Sequence, residues 1–416
     1  MARGPVILPK GMSISDTVTI GVLVRCVPAR IVDEVLKETG RQSLRQRSLP
    51  ARFMTYYVMA MALYFQDSYL EVQRKLFAGL QWLSMAPWLN VGAGKPAITM
   101  ARQRLGRDPL ERLFRRVVRP IAQERTRGAW YRGRRLVAWD GTMVDLADEP
   151  EIEAAFGRPN GGGSGAYPQM RLFALVETGT RVVFGLAGGH INETCELSLA
   201  LDLLGKLTPG MLCLADRGLV SGRLWRDAAA TGADLLWRIK SNQKFPCLKR
   251  LPDGSFLSEL SVDSTDRAAG TVPVRVIEYT LDAVPGTQPV HRLITTILDA
   301  RAAPAHELAM LYHERWEAEI AFHEIKVGLP GQRLMLRSRS VDLIWQELYG
   351  LALTHFALRD LMHEAALVGD CDADRLSFTA TVKIVQSHVL MHGSFPPCAP
   401  VGHPDEDHPR DPALPG

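Results

Sequence analysis

The spacing of apolar positions divides the chain into a helical first third, an alternating middle and a helical end. From Ile31 to about Glu124 apolar residues recur at three- and four-residue intervals, the period of an amphipathic helix. IVDEVLKET is amphipathic and stops at Gly40, and Pro50 opens a long apolar helix through Phe65. Ser68-Tyr-Leu-Glu71 has the form of a capping box and starts a helix to about Leu83. Pro96 suits the first turn of a short helix closed by Gly106, and Pro109 starts another, ERLFRRVVRPIAQE. Residues 1–20 read as irregular.

The period changes to two at Arg135. LVAWD predicts a strand ending at Asp140, and PQMRLFALVETGTRVVFGLAGG a hairpin turning at Glu177–Thr180. A helix over 193–206 follows, then the short apolar strand MLCLAD with Asp216 at its end. After a helix from Gly222 to Thr231 comes the strand LLWRIK. A Gly/Pro/Asp-punctuated stretch then carries strands near 244–250, 272–282 and 290–298. Strand, hairpin, helix, strand, with acids closing the first and fourth strands, is the order of a ribonuclease-H-like core. The fold class expected is therefore α/β: such a core with a β-rich insertion, an all-α N-terminal domain before it and C-terminal helices after it. The expected boundaries are 20–130 for the helical domain, 131–365 for the core with its insertion at 238–305, 366–393 for C-terminal helices (341–367 being one long helix and 377–389 a second), and 394–416 for a disordered tail rich in Pro, Asp and His.

Between insertion and C-terminal helices lies YHERWEAEIAFHEIK, Tyr312 to Lys326, without Pro or Gly and favouring helix. At about 100° per residue, Tyr312, Arg315, Glu319 and Lys326 fall within an arc of roughly 60°. One face thus carries a phenol, a guanidinium, a carboxylate and an ammonium. Trp316, Ile320 and Ala309 lie beside that arc and are expected to seat the helix on a core. Periodicity alone allows a merely solvated face with i,i+4 pairs.

Composition adds an asymmetry. Formal charge over the 416 residues is only +4. Residues 1–139 hold 24 Lys/Arg against 9 Asp/Glu, a net of +15, whereas the remaining 25 and 36 give 140–416 a net of −11. Between Arg102 and Arg135 twelve Arg face three acids. Such a split suits a nucleic-acid-facing part joined to an acidic part able to hold metal ions, with Arg102, Arg104 and Arg217 as candidate DNA contacts. Six scattered cysteines without a CxxC indicate neither a zinc module nor a disulfide framework. The run from Phe53 to Phe65 is too short to span a bilayer, no signal peptide is evident, and a cytoplasmic, nucleoid-associated protein is expected. His355 and His363 lie in an apolar helix and read as core or surface residues.

Tyr-x2-Arg-x3-Glu-x6-Lys is the signature around the catalytic Glu of DDE transposases of the insertion sequence four family, and this chain resembles it at all four positions. Asp140 leads Asp-Gly-Thr and Asp216 leads Asp-Arg-Gly, as in that family; Leu219 stands where many relatives have an aromatic. The resemblance, over roughly residues 20–390, implies a catalytic triad Asp140, Asp216 and Glu319. Asp145 competes with Asp140 but has opposite strand parity and no such context. Tyr312, Arg315 and Lys326 are implied to grip the DNA backbone. Where some relatives stack a Trp on a flipped base, no Trp occurs between Arg238 and Arg315; Phe256, Tyr279 and His291 are weaker substitutes.

Three acids from two strands and a helix fit two Mg²⁺ or Mn²⁺ ions, hard cations that favour carboxylate oxygens, with Asp140 bridging both and Asp216 and Glu319 each holding one. The implied function is a transposase that cuts the ends of its own insertion sequence and joins them to target DNA, as a homodimer on DNA. The alternatives are a metal-dependent nuclease of this fold without strand transfer and a non-catalytic DNA-binding derivative.

Overall fold

A computed structural model of the chain describes residues 15–43, 49–82, 93–160, 166–240, 243–263, 265–280 and 290–387. The expected tail, 394–416, and Cys398 lie outside these residues. The first third is helical: α1 (Ser15–Cys26), α2 (Ala29–Glu38), α3 (Ala51–Leu63), α4 (Tyr69–Trp82), α5 (Lys95–Leu105) and α6 (Asp108–Val117). Helix α1 begins where an irregular segment was expected. The Ser68 hydroxyl accepts the Glu71 amide at 3.2 Å, the forward half of the capping box, while the Glu71 carboxylate holds Arg74. Helix α6 stops seven residues short of Glu124. Pro120 disfavours helix at the residue before it, and the next amides, of Ile121 and Ala122, donate instead to the buried Glu177 carboxylate at 2.9 and 3.0 Å.

The middle comprises β1 (Trp130–Tyr131), β2 (Arg134–Asp145), α7 (Pro150–Phe156), β3 (Gln169–Glu177), β4 (Val182–His190), α8 (Glu196–Leu203), β5 (Met211–Ala215), α9 (Gly222–Ala230) and β6 (Asp234–Arg238). Then come β7 (Lys249–Arg250), β8 (Phe256–Ser261), β9 (Thr271–Tyr279) and β10 (His291–Thr295). Helices α10 (Ala305–Leu311), α11 (Trp316–His323), α12 (Val341–Val368) and α13 (Phe378–Ser387) complete the described chain.

All ten strands join one sheet in the order β4-β3-β2-β5-β6-β10-β9-β8-β7, with β1 on β2. The first five strands are the ribonuclease-H-like core: an antiparallel meander continued by the parallel strands β5 and β6. The strands after β6 lengthen that sheet, because β10 pairs antiparallel with β6. Strand β2 runs five residues beyond Asp140, since β3 pairs with it from Val137 to Asp145, whereas its other neighbour, β5, pairs only as far as Ala138↔Leu214.

Alternation sorts the sheet's side chains into two cores. Leu136, Ala138, Leu212 and Leu214 pack with Ala318, Ala321, Phe322 and Ile325 of the helical run after β10. Val137, Trp139, Cys213 and Trp237 face the opposite way, toward α8 and α9, in a cluster that continues into the N-terminal helices and α12. Helix α12 is buried nearly all round over its first five turns and crosses α3. The crossing is close at Gly350: a Cβ there would lie 2.7 Å from Val58 Cγ1 and 2.9 Å from the Val58 carbonyl oxygen. One turn on, Thr354 donates to the Met59 carbonyl at 2.9 Å. No helix among the described residues is long and apolar enough to cross a membrane. Gly350→Ala is expected to force these helices apart and cost about 1–3 kcal/mol, read as a lower urea midpoint with an unchanged slope; full stability would refute the close crossing.

Candidate active site

The β2–β5 register sets the two Asp residues side by side. Ala138 pairs with Leu214, and carrying the same offset two residues further brings Asp140 to Asp216, on strands spaced about 4.8 Å apart. Both continue the parity of Leu136, Ala138, Leu212 and Leu214, so both turn toward the core that holds α11. Asp145, five residues on, faces the other way and is engaged by Gln169 Nε2 at 2.8 Å and Arg333 Nη2 at 2.6 Å.

The helical run from Ala305 to Gly328 lies across these strand ends, but not as one ideal helix. Tyr312–Arg315 is a 3₁₀ turn, and Glu324–Gly328 is a π-turn, overwound and underwound segments on either side of α11. Tyr312 is buried, and its hydroxyl donates to the Ala215 carbonyl at 3.2 Å and lies 3.5 Å from Asp216 Oδ1. It therefore braces the end of β5, not an open DNA-facing surface. Arg315 Nη2 donates to Glu319 Oε1 at 2.7 Å, and Nη1 is 3.9 Å from Asp140 Oδ1. Lys326 Nζ donates to Thr142 Oγ1 at 3.1 Å. The four signature residues thus follow one another along the strand ends, from β5 across β2. Trp316 and Ile320 do not seat the helix; they are 53% and 37% exposed. The packed side is Tyr312, Ala318, Ala321, Phe322 and Ile325, because the signature face is itself half-buried against the sheet.

Burial pushes the Asp140 carboxyl up to about 6; Arg315 opposes this, and Glu319 and, more weakly, Glu196 add to it. Burial opposes the Arg315 charge too, but Tyr312, Glu319 and Asp140 outweigh it and hold its pKa above the usual value. Burial lowers that of Lys326. Among the described residues no three acidic, histidine or cysteine side chains converge tightly enough to form a metal site. Arg315 occupies the space between Asp140 and Glu319 as their counter-charge, and its Nε has no hydrogen-bond partner. The donor set is all hard oxygen and already accommodates one cation.

The family described as Transposase DDE domain matches residues 131–357, and that described as Insertion element 4 transposase N-terminal matches residues 17–115. The chain belongs to the DDE transposases. It is similar to the transposase InsG for insertion sequence element IS4 of Escherichia coli K12, at 28% identity over 371 residues, 88% of this chain and 82% of that protein. A cryo-EM structure of the piggyBac transposase synaptic complex with hairpin DNA is a slighter likeness, with 10% identity and a TM-score of 0.42 over 93% of this chain and 82% of that one. The protein is thus a transposase, an enzyme acting on DNA, of a family whose domain generally uses divalent metal ions.

The basic segment of this transposase is less open than its composition suggests. Arg102 is 3% exposed, with Nε on Gln346 at 2.9 Å and Nη2 on Ser338 at 2.8 Å. It joins α5 to α12 and is sealed in the core, a correction to the reading from basic-residue count; the helix face that Arg102 shares with Ile98 and Leu105 is the local sign of that burial. Arg104 and Arg217 are exposed. Phe256 is buried, and Tyr279 and His291 stack on each other across β9 and β10, with ring centroids 5.4 Å apart.

Charged residues without a sequence signal hold the helix that carries Glu319. Glu324, in the π-turn, is 4% exposed and accepts from Arg359 Nε at 2.8 Å, from Arg359 Nη2 and from His355 Nε2 at 3.0 Å. Arg181, left-handed at the β3–β4 turn (φ 56°), reaches Glu324 at 3.5 Å and Asp374 at 2.9 Å and pairs with Glu317. Burial alone would raise the Glu324 pKa; the His355 hydrogen bond and the Arg359 charge reverse the sign and lower it. Its contribution to stability is therefore present at neutral pH and is lost as pH falls through that lowered value. Glu324→Ala leaves buried guanidinium uncompensated and is expected to cost about 3–5 kcal/mol in urea unfolding at neutral pH. Glu324→Leu with Arg359→Met removes both charges and is expected to cost less; an equal or larger loss would show that packing, not charge compensation, matters here.

Proposed function

We propose that this transposase cuts the ends of its own insertion sequence and joins them to target DNA at one site built on Asp140, Asp216 and Glu319. The observation that carries the reading is the meeting of three carboxylate-bearing segments, two parallel neighbours (β2 and β5) at the point where their pairing stops and one helix across them, with a guanidinium already between Asp140 and Glu319. The three carboxylates would hold two Mg²⁺ or Mn²⁺ ions. Such a pair supplies an activated oxygen nucleophile, a stabilised leaving oxygen and charge neutralisation at phosphorus.

The chain's own groups do the rest. Tyr312 holds the end of β5 and with it the position of Asp216. Arg315, buried between Asp140 and Glu319, holds the two carboxylates at a set separation and supplies a fixed positive charge beside the reacting phosphate. Lys326 and the exposed Arg217 offer point charges on either side of the strand ends. Hydrolysis at the element end frees a 3′-hydroxyl, and the same site then directs that hydroxyl at a phosphodiester of target DNA, forming the new P–O bond as the target strand's 3′-oxygen leaves as a free 3′-hydroxyl. The helical region 20–130, with Arg104, binds the element ends, and two copies of the chain hold the two ends together.

The test is cleavage of a plasmid carrying the gene's own flanking DNA, with Mg²⁺ or Mn²⁺, by the wild type and Glu319→Gln. Wild type is expected to cut at the element ends and to yield joined products with added target DNA. Glu319→Gln should bind the same DNA without cutting it. Equal cutting by both removes Glu319 from the site; cutting without joined products reduces the activity to hydrolysis.

A further inference from the structure

A fourth acid reaches the same strand ends from the side of the sheet away from α11. Glu196 opens α8, and its side chain is 35% exposed. Its Oε1 lies 3.4 Å from Arg171 Nη1 on β3, and Arg171 is itself anchored by Nη2 on the Ile191 carbonyl at 2.9 Å. The Arg171 Nε is buried without a hydrogen-bond partner. Nothing in GHINETCE marks this Glu on sequence grounds; the fold brings it there.

Two glycines border its carboxylate. A Cβ on Gly141 would lie 2.5 Å from Glu196 Oε1, and one on Gly218 would lie 3.9 Å from Oε2. Neither glycine has a positive φ, so backbone freedom does not explain either. The lack of a side chain at Gly141 makes room for the carboxylate, whereas Gly218 leaves ordinary contact distance. Gly141 follows Asp140, and Gly218 stands two residues after Asp216. One carboxylate therefore lies against the backbone of both Asp-bearing segments. The clash at Gly141 is with the end of a flexible side chain, so alanine there would displace the Glu196 carboxylate from Arg171 and leave the strand in place.

We propose that Glu196, held by Arg171, is a positioning residue: a wedge between β2 at Gly141 and the segment that follows β5, setting Asp140 and Asp216 from behind. It rests on the triad reading above. Groups that orient first ligands in this way typically change metal affinity or activity by 10–100-fold when removed.

The experiment uses the full chain as wild type, Glu196→Ala, Glu196→Gln, Gly141→Ala, the double variant Gly141→Ala/Glu196→Ala, and Glu319→Gln. Mn²⁺ binding without DNA is followed by electron paramagnetic resonance, plasmid-end cleavage is followed in Mg²⁺, and melting temperature is recorded throughout. Glu196→Ala and Gly141→Ala are each expected to weaken Mn²⁺ binding and slow cleavage by about 10–100-fold with little change in melting. Because both displace the same carboxylate, the double variant should be no worse than either single one. Glu196→Gln, which keeps the shape and weakens the Arg171 contact, should fall between wild type and Glu196→Ala, and it carries the test if an alanine variant fails to fold. Wild-type Mn²⁺ binding and cleavage in Glu196→Gln and Glu196→Ala, or losses that multiply in the double variant, overturn the proposal. If Glu319→Gln cuts like wild type, the triad reading falls and takes this one with it; if it is dead while the Glu196 variants are normal, only the wedge is wrong.

Discussion

A glutamate with 4% of its surface exposed, as Glu324 has, is costly to bury alone, and here two guanidiniums and an imidazole meet it. Those partners come from α12 and from the β3–β4 turn, so one carboxylate ties the helix that carries Glu319 to the longest helix among the described residues and to the core meander. Buried ion pairs of this kind add little net stability but penalise any arrangement that separates them. The helix therefore has one acceptable seat on the sheet. That seat fixes where Tyr312, Arg315, Glu319 and Lys326 fall along the strand ends. The π-turn is part of the same constraint: it runs over Glu324–Gly328, holding both the buried Glu324 and the half-buried Lys326, and lets neighbouring residues face the core and the strands.

The site itself is arranged around unmet charge. Desolvation and the neighbouring Glu319 raise the Asp140 pKa to about 6, which measures how poorly the protein alone stabilises its anion. Arg315 relieves this in part, 2.7 Å from Glu319 and 3.9 Å from Asp140. A site that holds its acids under mutual repulsion favours cations, and a guanidinium is a weak substitute for a divalent ion at carboxylate oxygens.

The elements were largely legible because their signals are local. The Asp140 and Asp216 strands, the hairpin at Thr178 and the long helix from Val341 follow from alternation, turn residues and apolar runs. What failed needed tertiary knowledge. Strand β2 runs past the end its own residues predict, because β3 extends it and no local feature reports a neighbour's length. Hydrophobicity alone places Trp316 and Ile320 in a core, yet both are exposed, and the helix packs through Tyr312, Ala318, Ala321, Phe322 and Ile325, with Arg315 buried beside them. Glu196, Arg171 and Arg181 gave no signal, since their importance lies in which distant backbone or carboxylate they meet.

The charge split between the first third and the remainder also has a meaning that composition could not supply. Arg132 pairs with Glu307, Arg134 with Asp234, and Arg135 with Glu177, so the basic end of the first segment is held against acids of the second. Within the helical region Arg116 bridges Glu34 and Glu38, and Arg107 and Arg115 share Glu111. The charges of Arg132, Arg134 and Arg135, part of the +15, are thus met by acids of the −11 segment, while the pairs of Arg107, Arg115 and Arg116 lie inside the first segment and are already counted in its net. Pairs as exposed as those of Arg115 and Arg116 contribute little net stability and are screened by salt. Trading such a carboxylate for a DNA phosphate would therefore cost the fold little, while Arg102, sealed between α5 and α12, cannot make that exchange without opening the core.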